Sequence, residues 1–220
     1  MPGMAAARVI SVNIGHGRDA DWAGRLKRTA IDKRPVPGPA DVGRLGLAGD
    51  EQVDKPDHGG YEQALYAYAR EDLDWWVERL GRELTGGSFG ENITTSGLDI
   101  TGALIGEVWQ LGSAVVQVTS PRIPCVVFAG WLGERQWVKR FADARRPGAY
   151  LRVLTEGRVG PGDPAAVLSR PAERVTIAES MAAYYGDTEL MQRLLTVEGR
   201  GSKWDEIALS VLGRVALPEH

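Results

Sequence analysis

The segment "SPRIPC", at 120–125, places an arginine and the chain's single cysteine three residues apart. A thiolate is a soft ligand for transition metals, and a guanidinium forms bidentate hydrogen bonds with anionic oxygens. Arg122 and Cys125 therefore suggest a site for a transition metal beside an anionic group. Both residues also have a structural interpretation, because a lone cysteine is commonly a small buried hydrophobe and an arginine commonly forms a surface ion pair.

Two other segments combine polar residues with glycines. His58 precedes a pair of glycines in "PDHGG", and the segment "GENITT" supplies Gly90, Glu91, Asn92 and Thr94. Glycine lets backbone amides approach a ligand closely, and histidine exchanges protons near neutral pH. The alternatives are that His58 caps the following helix, that 90–92 is only a tight turn, and that Thr94 is an ordinary strand residue.

Composition excludes several classes of function. The 220 residues carry a net charge of -3 from interspersed acidic and basic residues, with no basic stripe for a nucleic acid backbone. One cysteine cannot form an internal disulfide, the N-terminus lacks the apolar stretch of a signal peptide, and no apolar run approaches a membrane span. We therefore expect a cytoplasmic protein that binds neither nucleic acid nor membrane.

The elements that must position these residues are mainly β. The 28 glycines fall between short β-prone runs, which is typical of a strand-rich fold with many turns. Strands are predicted at 8–15, 106–112, 114–120 and 150–157, with a hairpin around Gly112 and Ser113. Helical spacing predicts helices over 63–81 and 134–144, with the tryptophan pairs Trp75/Trp76 and Trp131/Trp137 in the core.

The sequence pattern changes from strand-like to helical near residue 170. Three segments, at 176–186, 187–197 and 202–215, have helical patterns and each begins near Thr, Asp or Ser, the preferred capping residues. Isolated helices this short barely form in water, so they must pack on each other or on the main body. We therefore predict one domain over 1–168 and a small helical unit over 169–220.

Five segments occur together and in order: "GDEQVDKPDHGG", "FGENITTSGL", "IGEVWQLG", "PRIPC" and "GAYLRVLTEGRVGPGD". Together they resemble the MOSC domain, a module related to the C-terminal part of molybdenum cofactor sulfurases, and in particular its YiiM-type bacterial members. The resemblance covers nearly the whole chain. It implies a mainly β fold, a β-barrel with a few helices, followed by an all-α unit of three helices. The stretch "CVVFAGWLG" departs from the family pattern by being more apolar.

The resemblance also implies a cofactor and roles for the quoted residues. The cofactor is the molybdenum cofactor, a molybdopterin, with Cys125 as its metal ligand or as the carrier of a persulfide. His58 would donate a proton near the metal. The residues expected to contact the cofactor are Arg122, Asn92, Gly90, Glu91, Thr94 and Lys33, the last as a phosphate contact.

The activity implied is the reduction of N-hydroxylated compounds, such as N-hydroxylated bases. Because 220 residues leave no room for a flavin domain beside the barrel and helices, electrons would come from a separate flavoprotein. Two alternatives remain. The chain could carry sulfur as a Cys125 persulfide without molybdenum, or it could be a non-catalytic module that binds an anionic ligand.

Overall fold

The computed structural model describes residues 6–54 and 59–215, the side chains of 214 and 215 excepted. Thirteen strands lie in the described part of the chain: β1 Arg8–Ile14, β2 Arg18–Asp19, β3 Arg28–Thr29, β4 Arg34–Pro35, β5 Ala40–Gly43, β6 Gly46–Leu47, β7 Leu65–Ala69, β8 Ile93–Ser96, β9 Val108–Leu111, β10 Ala114–Pro121, β11 Ala149–Thr155, β12 Gly157–Val159 and β13 Ala165–Ser169. The helices there are α1 Arg70–Leu80, α2 Val126–Leu132, α3 Trp137–Ala144, α4 Ile177–Tyr184, α5 Thr188–Leu195 and α6 Lys203–Val215. None of these helices is long and apolar enough to cross a bilayer.

The main sheet has eight strands in the order β13-β9-β10-β11-β7-β8-β1-β4. Every pair in it is antiparallel except β7 with β8. The sheet curls back on itself where β1 meets the start of β13, because Val9 N donates to Asp163 O at 2.9 Å and Ala165 N donates to Ala7 O at 2.9 Å. The predicted mainly β barrel, followed by three helices, is confirmed.

The four predicted strands are present, and alternation explains which face each one buries. In β10, Ala114, Val116 and Val118 are buried while Val115 and Gln117 are half-buried. The predicted hairpin joins β9 to β10, with Leu111 paired to Ala114. Its turn needs a left-handed residue, which Gly112 supplies with φ of 59°.

The helix predicted over 63–81 is wrong in its first half. Leu65–Ala69 forms β7, whose five residues are all buried between β11 and β8, and α1 begins only at Arg70. A strand covered on both faces has a continuous apolar run instead of an alternating one, so its spacing also fits a helix. The helix predicted at 134–144 begins at Trp137.

The first three helices build an aromatic cluster beside the barrel. Trp76, Phe89, Phe128, Trp137 and Phe141 are all buried, and their ring centroids lie 4.6–6.1 Å apart where they contact. Helix α2, formed by the unusually apolar stretch after Cys125, supplies Phe128 and so explains that departure from the family pattern. Aromatic packing of this density fixes the backbone on one side of Cys125.

The three predicted C-terminal helices are present as α4, α5 and α6, and two of the predicted caps are confirmed. Thr176 and Glu179 form a reciprocal capping box, and Asp187 accepts a hydrogen bond from Leu190 N at 3.0 Å. Ser202 instead donates its hydroxyl to Glu62 at 2.9 Å. The third helix therefore begins at a contact with the barrel.

These helices share a core with the barrel. Ile177, Leu194 and Trp204 belong to the same apolar cluster as Val118 and Leu151 of β10 and β11. The Trp204 indole also donates to Thr119 O at 3.1 Å. The division into 1–168 and 169–220 stays a prediction, and the shared core implies that the two parts unfold together.

Replacing Trp204 with alanine tests this shared core. The side chain is 2% exposed, so Trp204→Ala should lower the free energy of unfolding by about 3–5 kcal/mol. Leu209→Ala, on the same helix at 79% exposure, should change it by less than about 0.5 kcal/mol. Urea unfolding followed by tryptophan fluorescence and far-UV circular dichroism should give one coincident transition, and two separate transitions would contradict a common core.

Candidate functional site

A cavity of about 840 Å³ lies between the barrel and the C-terminal helices. Its lining includes five of the residues predicted from the sequence: Lys33, Gly90, Asn92, Arg122 and Cys125. The first and last of these residues, Lys33 and Cys125, are 92 positions apart in the chain. The volume suits a small-molecule cofactor or substrate.

Arg122 is the charged centre of the cavity wall. It follows the last residue of β10, is 6% exposed, and donates through Nη1 to Phe89 O at 3.0 Å. Its guanidinium carbon lies 4.4 Å from the ring centroid of Phe128 and 5.0 Å from that of Tyr66. These contacts hold the guanidinium against aromatic faces by cation–π attraction.

Arg122 forms no ion pair with any residue in 6–54 and 59–215. Its buried Nε also has no hydrogen-bond partner within these ranges. Burial disfavours the charge, but Tyr150, Tyr66, Cys125 and the buried Glu91 raise the pKa of the guanidinium above its ordinary value. Arg122 is therefore a permanent cation that an incoming anion would neutralise.

Cys125 lies at the start of α2 and is half-buried. Its backbone is extended, with φ of -129°, and its carbonyl accepts the first hydrogen bond of the helix from Ala129 N at 3.0 Å. The side chain lines the cavity on the same wall as Arg122.

Lys33 is 9% exposed and forms an ion pair with Asp50, a carboxylate that is 2% exposed. Burial lowers the pKa of Lys33 and outweighs Asp50, which raises it; the cation Arg122 lowers it further. A second positive group thus lies near Arg122, but its charge is already shared with a carboxylate. Because Asp50 offsets the charge of Lys33, the cationic character of this end of the cavity comes from Arg122.

Asp50 was missed by the sequence reasoning. One of its oxygens accepts from Gly15 N at 2.8 Å and from Lys33, and the other accepts from Asn92 Nδ2 at 2.9 Å. This single carboxylate therefore connects three separate segments of the chain. The only sequence signal for Asp50 was its position near the start of the segment "GDEQVDKPDHGG". That signal is weak, because an aspartate after a glycine can have many roles.

Asn92 lines the cavity, but most of its hydrogen-bonding capacity is used by the protein. Its Nδ2 donates to Asp50 and, at 3.4 Å, to Asn13 O, and its Oδ1 accepts from Tyr66 N at 3.1 Å. The amide thus links the segments around β1, β7 and β8. One acceptor site on Oδ1 remains for a ligand.

Glu91 and Thr94 are not among the lining residues. Glu91 is fully buried and accepts from Gly87 N at 2.7 Å, Phe89 N at 2.9 Å and Thr94 Oγ1 at 3.0 Å. Burial raises the pKa of this carboxyl, and those three donors favour its charged form. Both side chains hold the turn that carries Gly90, so the structure places them behind the cavity wall.

Gly90 is required by packing within the wall. Its φ is 73°, and a Cβ there would lie 2.9 Å from Ile31 Cγ1 and 3.4 Å from Arg122 Nη1. Any side chain would therefore displace Ile31 and strain the left-handed backbone. His58 lies outside the described residues, so its predicted role stays a prediction.

The MOSC domain model matches residues 54–166 of the chain. The chain is 35% identical over 199 residues to "Uncharacterized protein YflK" of Bacillus subtilis, covering 89% of this chain and 90% of the relative. It is 30% identical to "Protein YiiM" of Escherichia coli over 81% of this chain and 82% of that one. A more distant match, at 31% identity over 68% of this chain, is to a protein of Gibberella moniliformis named "Reductase", of which it covers 28%.

The fold agrees with these sequence matches. The crystal structure of YiiM from Geobacillus stearothermophilus superposes with a TM-score of 0.78 at 31% identity, covering 94% of this chain and 99% of that chain. The site therefore lies in a MOSC fold. The chain belongs to the MOSC family, as a YiiM-type member.

The carboxylate of Asp50 offers a direct test of this geometry. Asp50→Ala should lower the free energy of unfolding by about 3–5 kcal/mol, because it leaves Lys33 buried without its counter-ion. The matched control is Asp143→Ala, which breaks an exposed ion pair with Lys139 and should cost less than about 1 kcal/mol. Chemical denaturation measures both, and equal losses would contradict the buried network.

Proposed function

We propose that this protein binds a molybdenum cofactor in the cavity and reduces N-hydroxylated compounds, such as N-hydroxylated bases. Membership of the MOSC family supports the association with that cofactor. The name "Reductase" of the Gibberella moniliformis relative supports an oxidoreductase. The single observation that carries the proposal is a buried Arg122, without an ion pair among the described residues, that lines the same cavity as the chain's single cysteine.

The cationic end of the cavity fits an anionic cofactor. Arg122 is buried without a bound carboxylate within the described ranges, and its Nε lacks a partner there. Leaving a buried charge unpaired is costly, so an anionic group at this wall would gain a strong charge-assisted interaction. Arg122 and Lys33 would hold the phosphate or oxo groups of the cofactor, and Asn92 would accept one hydrogen bond.

The donors also fit a metal that brings most of its own ligands. In the described part of the chain, no group of three or more His, Cys, Asp or Glu side chains is arranged to hold an ion. Cys125 supplies one soft sulfur at the cavity wall. A single protein thiolate suits a metal whose remaining ligands belong to an organic cofactor.

When bound, such a cofactor supplies a metal that changes oxidation state and exchanges oxygen atoms. Converting N–OH to N–H consumes two electrons and two protons and releases water, so the site needs a proton donor and an electron source. A separate flavoprotein supplies the electrons, and His58 is the proton donor that the family resemblance implies.

Cys125→Ser is the primary test. The change keeps the size of the side chain and removes the easily ionised soft ligand, so the variant should fold, lose N-hydroxyl reduction and lose molybdenum. Metal content, activity with a flavoprotein electron donor and melting temperature should be measured together. The control is Ser169→Ala, a change of similar size at an exposed position outside the cavity, which should retain metal and activity.

Each alternative predicts a different outcome of that experiment. A sulfur carrier would show labile sulfur but no molybdenum in the unmodified protein, and the serine variant would lose the sulfur. A non-catalytic anion-binding module would be unaffected by the serine substitution. Full reductase activity in folded Cys125→Ser would overturn the proposal.

His58→Ala tests the source of the proton. If His58 acts as a general acid, turnover should fall by about a hundredfold while the molybdenum content stays near that of the unmodified protein. The pH profile of kcat should also lose its alkaline limb, because a general acid acts only in its protonated form. A variant that loses cofactor instead would show that His58 holds the site together.

A further inference from the structure

The cavity has a second end with a different chemistry. Residues 119–122 run along its wall, and the two ends of this stretch have different neighbours. Arg122 contacts Phe89 O, whereas Thr119 O accepts from Trp204 Nε1 at 3.1 Å and from Gly201 N at 3.2 Å. Three extended residues span roughly 10 Å, so the helical end lies about that far from the cationic end.

The helical end combines aromatic and aliphatic side chains with the polar residues Glu62, Ser202 and Lys203 at its edge. Tyr184 of α4 and Ile207 of α6 line it and are half-buried, and Trp204, which is 2% exposed, also lines it. Tyr61 is at the rim, 42% exposed. Aromatic and branched aliphatic side chains together form flat apolar surfaces that pack well on a planar ring.

Polar contacts fix this end in place. Glu62 accepts from Ser202 N at 2.7 Å and from Ser202 Oγ at 2.9 Å, and it lies 3.8 Å from the guanidinium of Arg152. Arg152 in turn donates to the carbonyls of Gly199 and Arg200. The start of α6 is thus held on the barrel before any ligand arrives, which reduces the entropy lost on binding.

We propose that the C-terminal helices form the substrate-selective wall of the site, where Tyr184 and Ile207 receive the planar ring of an N-hydroxylated heteroaromatic amine. The hydroxylated nitrogen of the substrate then points toward Arg122 and Cys125. This inference rests on the proposed function, and it assigns substrate selection to a part of the chain outside the barrel. A small aliphatic N-hydroxylated compound gains little from this wall.

Filling the wall with a larger side chain tests the inference. Ile207→Trp should raise KM for N-hydroxylated adenine by about tenfold or more, with a smaller change in kcat, because it removes ring-binding contacts. KM for acetamidoxime, a small aliphatic compound, should rise less, so the selectivity for the base falls. Leu209→Trp is the matched control: it adds the same side chain on the exposed side of α6 and should leave both parameters unchanged.

A binding measurement separates this inference from the proposed function. Adenine, the product of that reaction, should bind the unmodified and Leu209→Trp proteins in calorimetry, and it should bind Ile207→Trp about tenfold more weakly. This comparison requires no turnover, so it holds even if no reductase activity is found. Equal adenine affinity in all three proteins, or no adenine binding to any of them, would overturn the inference.

Tyr184→Leu is the second variant, for use if Ile207→Trp does not fold. It removes the ring but keeps an apolar side chain, so adenine affinity should fall by about fivefold while the melting temperature stays close to that of the unmodified protein. Unchanged adenine affinity in folded Tyr184→Leu would also contradict the proposed wall.

Discussion

A guanidinium held away from water without a bound carboxylate is the constraint on which the site depends. Burying Arg122 costs free energy, and the described surroundings offset that cost with one backbone carbonyl and two aromatic faces. The aromatic cluster of α1, α2 and α3 supplies one of those faces and fixes the segment that carries Cys125. The charge therefore remains available to a ligand, and the packing around it keeps the thiol beside it.

Buried carboxylates serve as scaffolding around this charge. Asp50 connects Gly15, Lys33 and Asn92, and Glu91 organises the turn that ends at Gly90. Each carboxylate accepts several hydrogen bonds, which is what allows an acidic group to remain charged in the interior. Since both oxygens of each are occupied, these two residues position the wall and contribute little direct contact with a ligand.

The helical unit is joined to the barrel by apolar packing and by polar contacts at its edge. Ile177, Leu194 and Trp204 extend the barrel core, while Glu62 and Arg152 bind the segment that leads into α6. The cavity consequently has walls from both parts of the chain. This shared construction places the buried guanidinium of Arg122 and the half-buried side chains of Tyr184 and Ile207 in one cavity.

The sequence by itself determined the fold class, the C-terminal helices and five of the residues that line the cavity. Alternating strands, capping residues and five ordered segments are local signals, so Cys125, Arg122, Asn92, Gly90 and Lys33 could be selected without a structure. Tertiary structure decided that Leu65–Ala69 is a strand, because burial on both faces removes alternation. It also decided that Asp50 joins the site and that Tyr184 and Ile207 line it, since contacts between distant segments leave no local pattern in the chain.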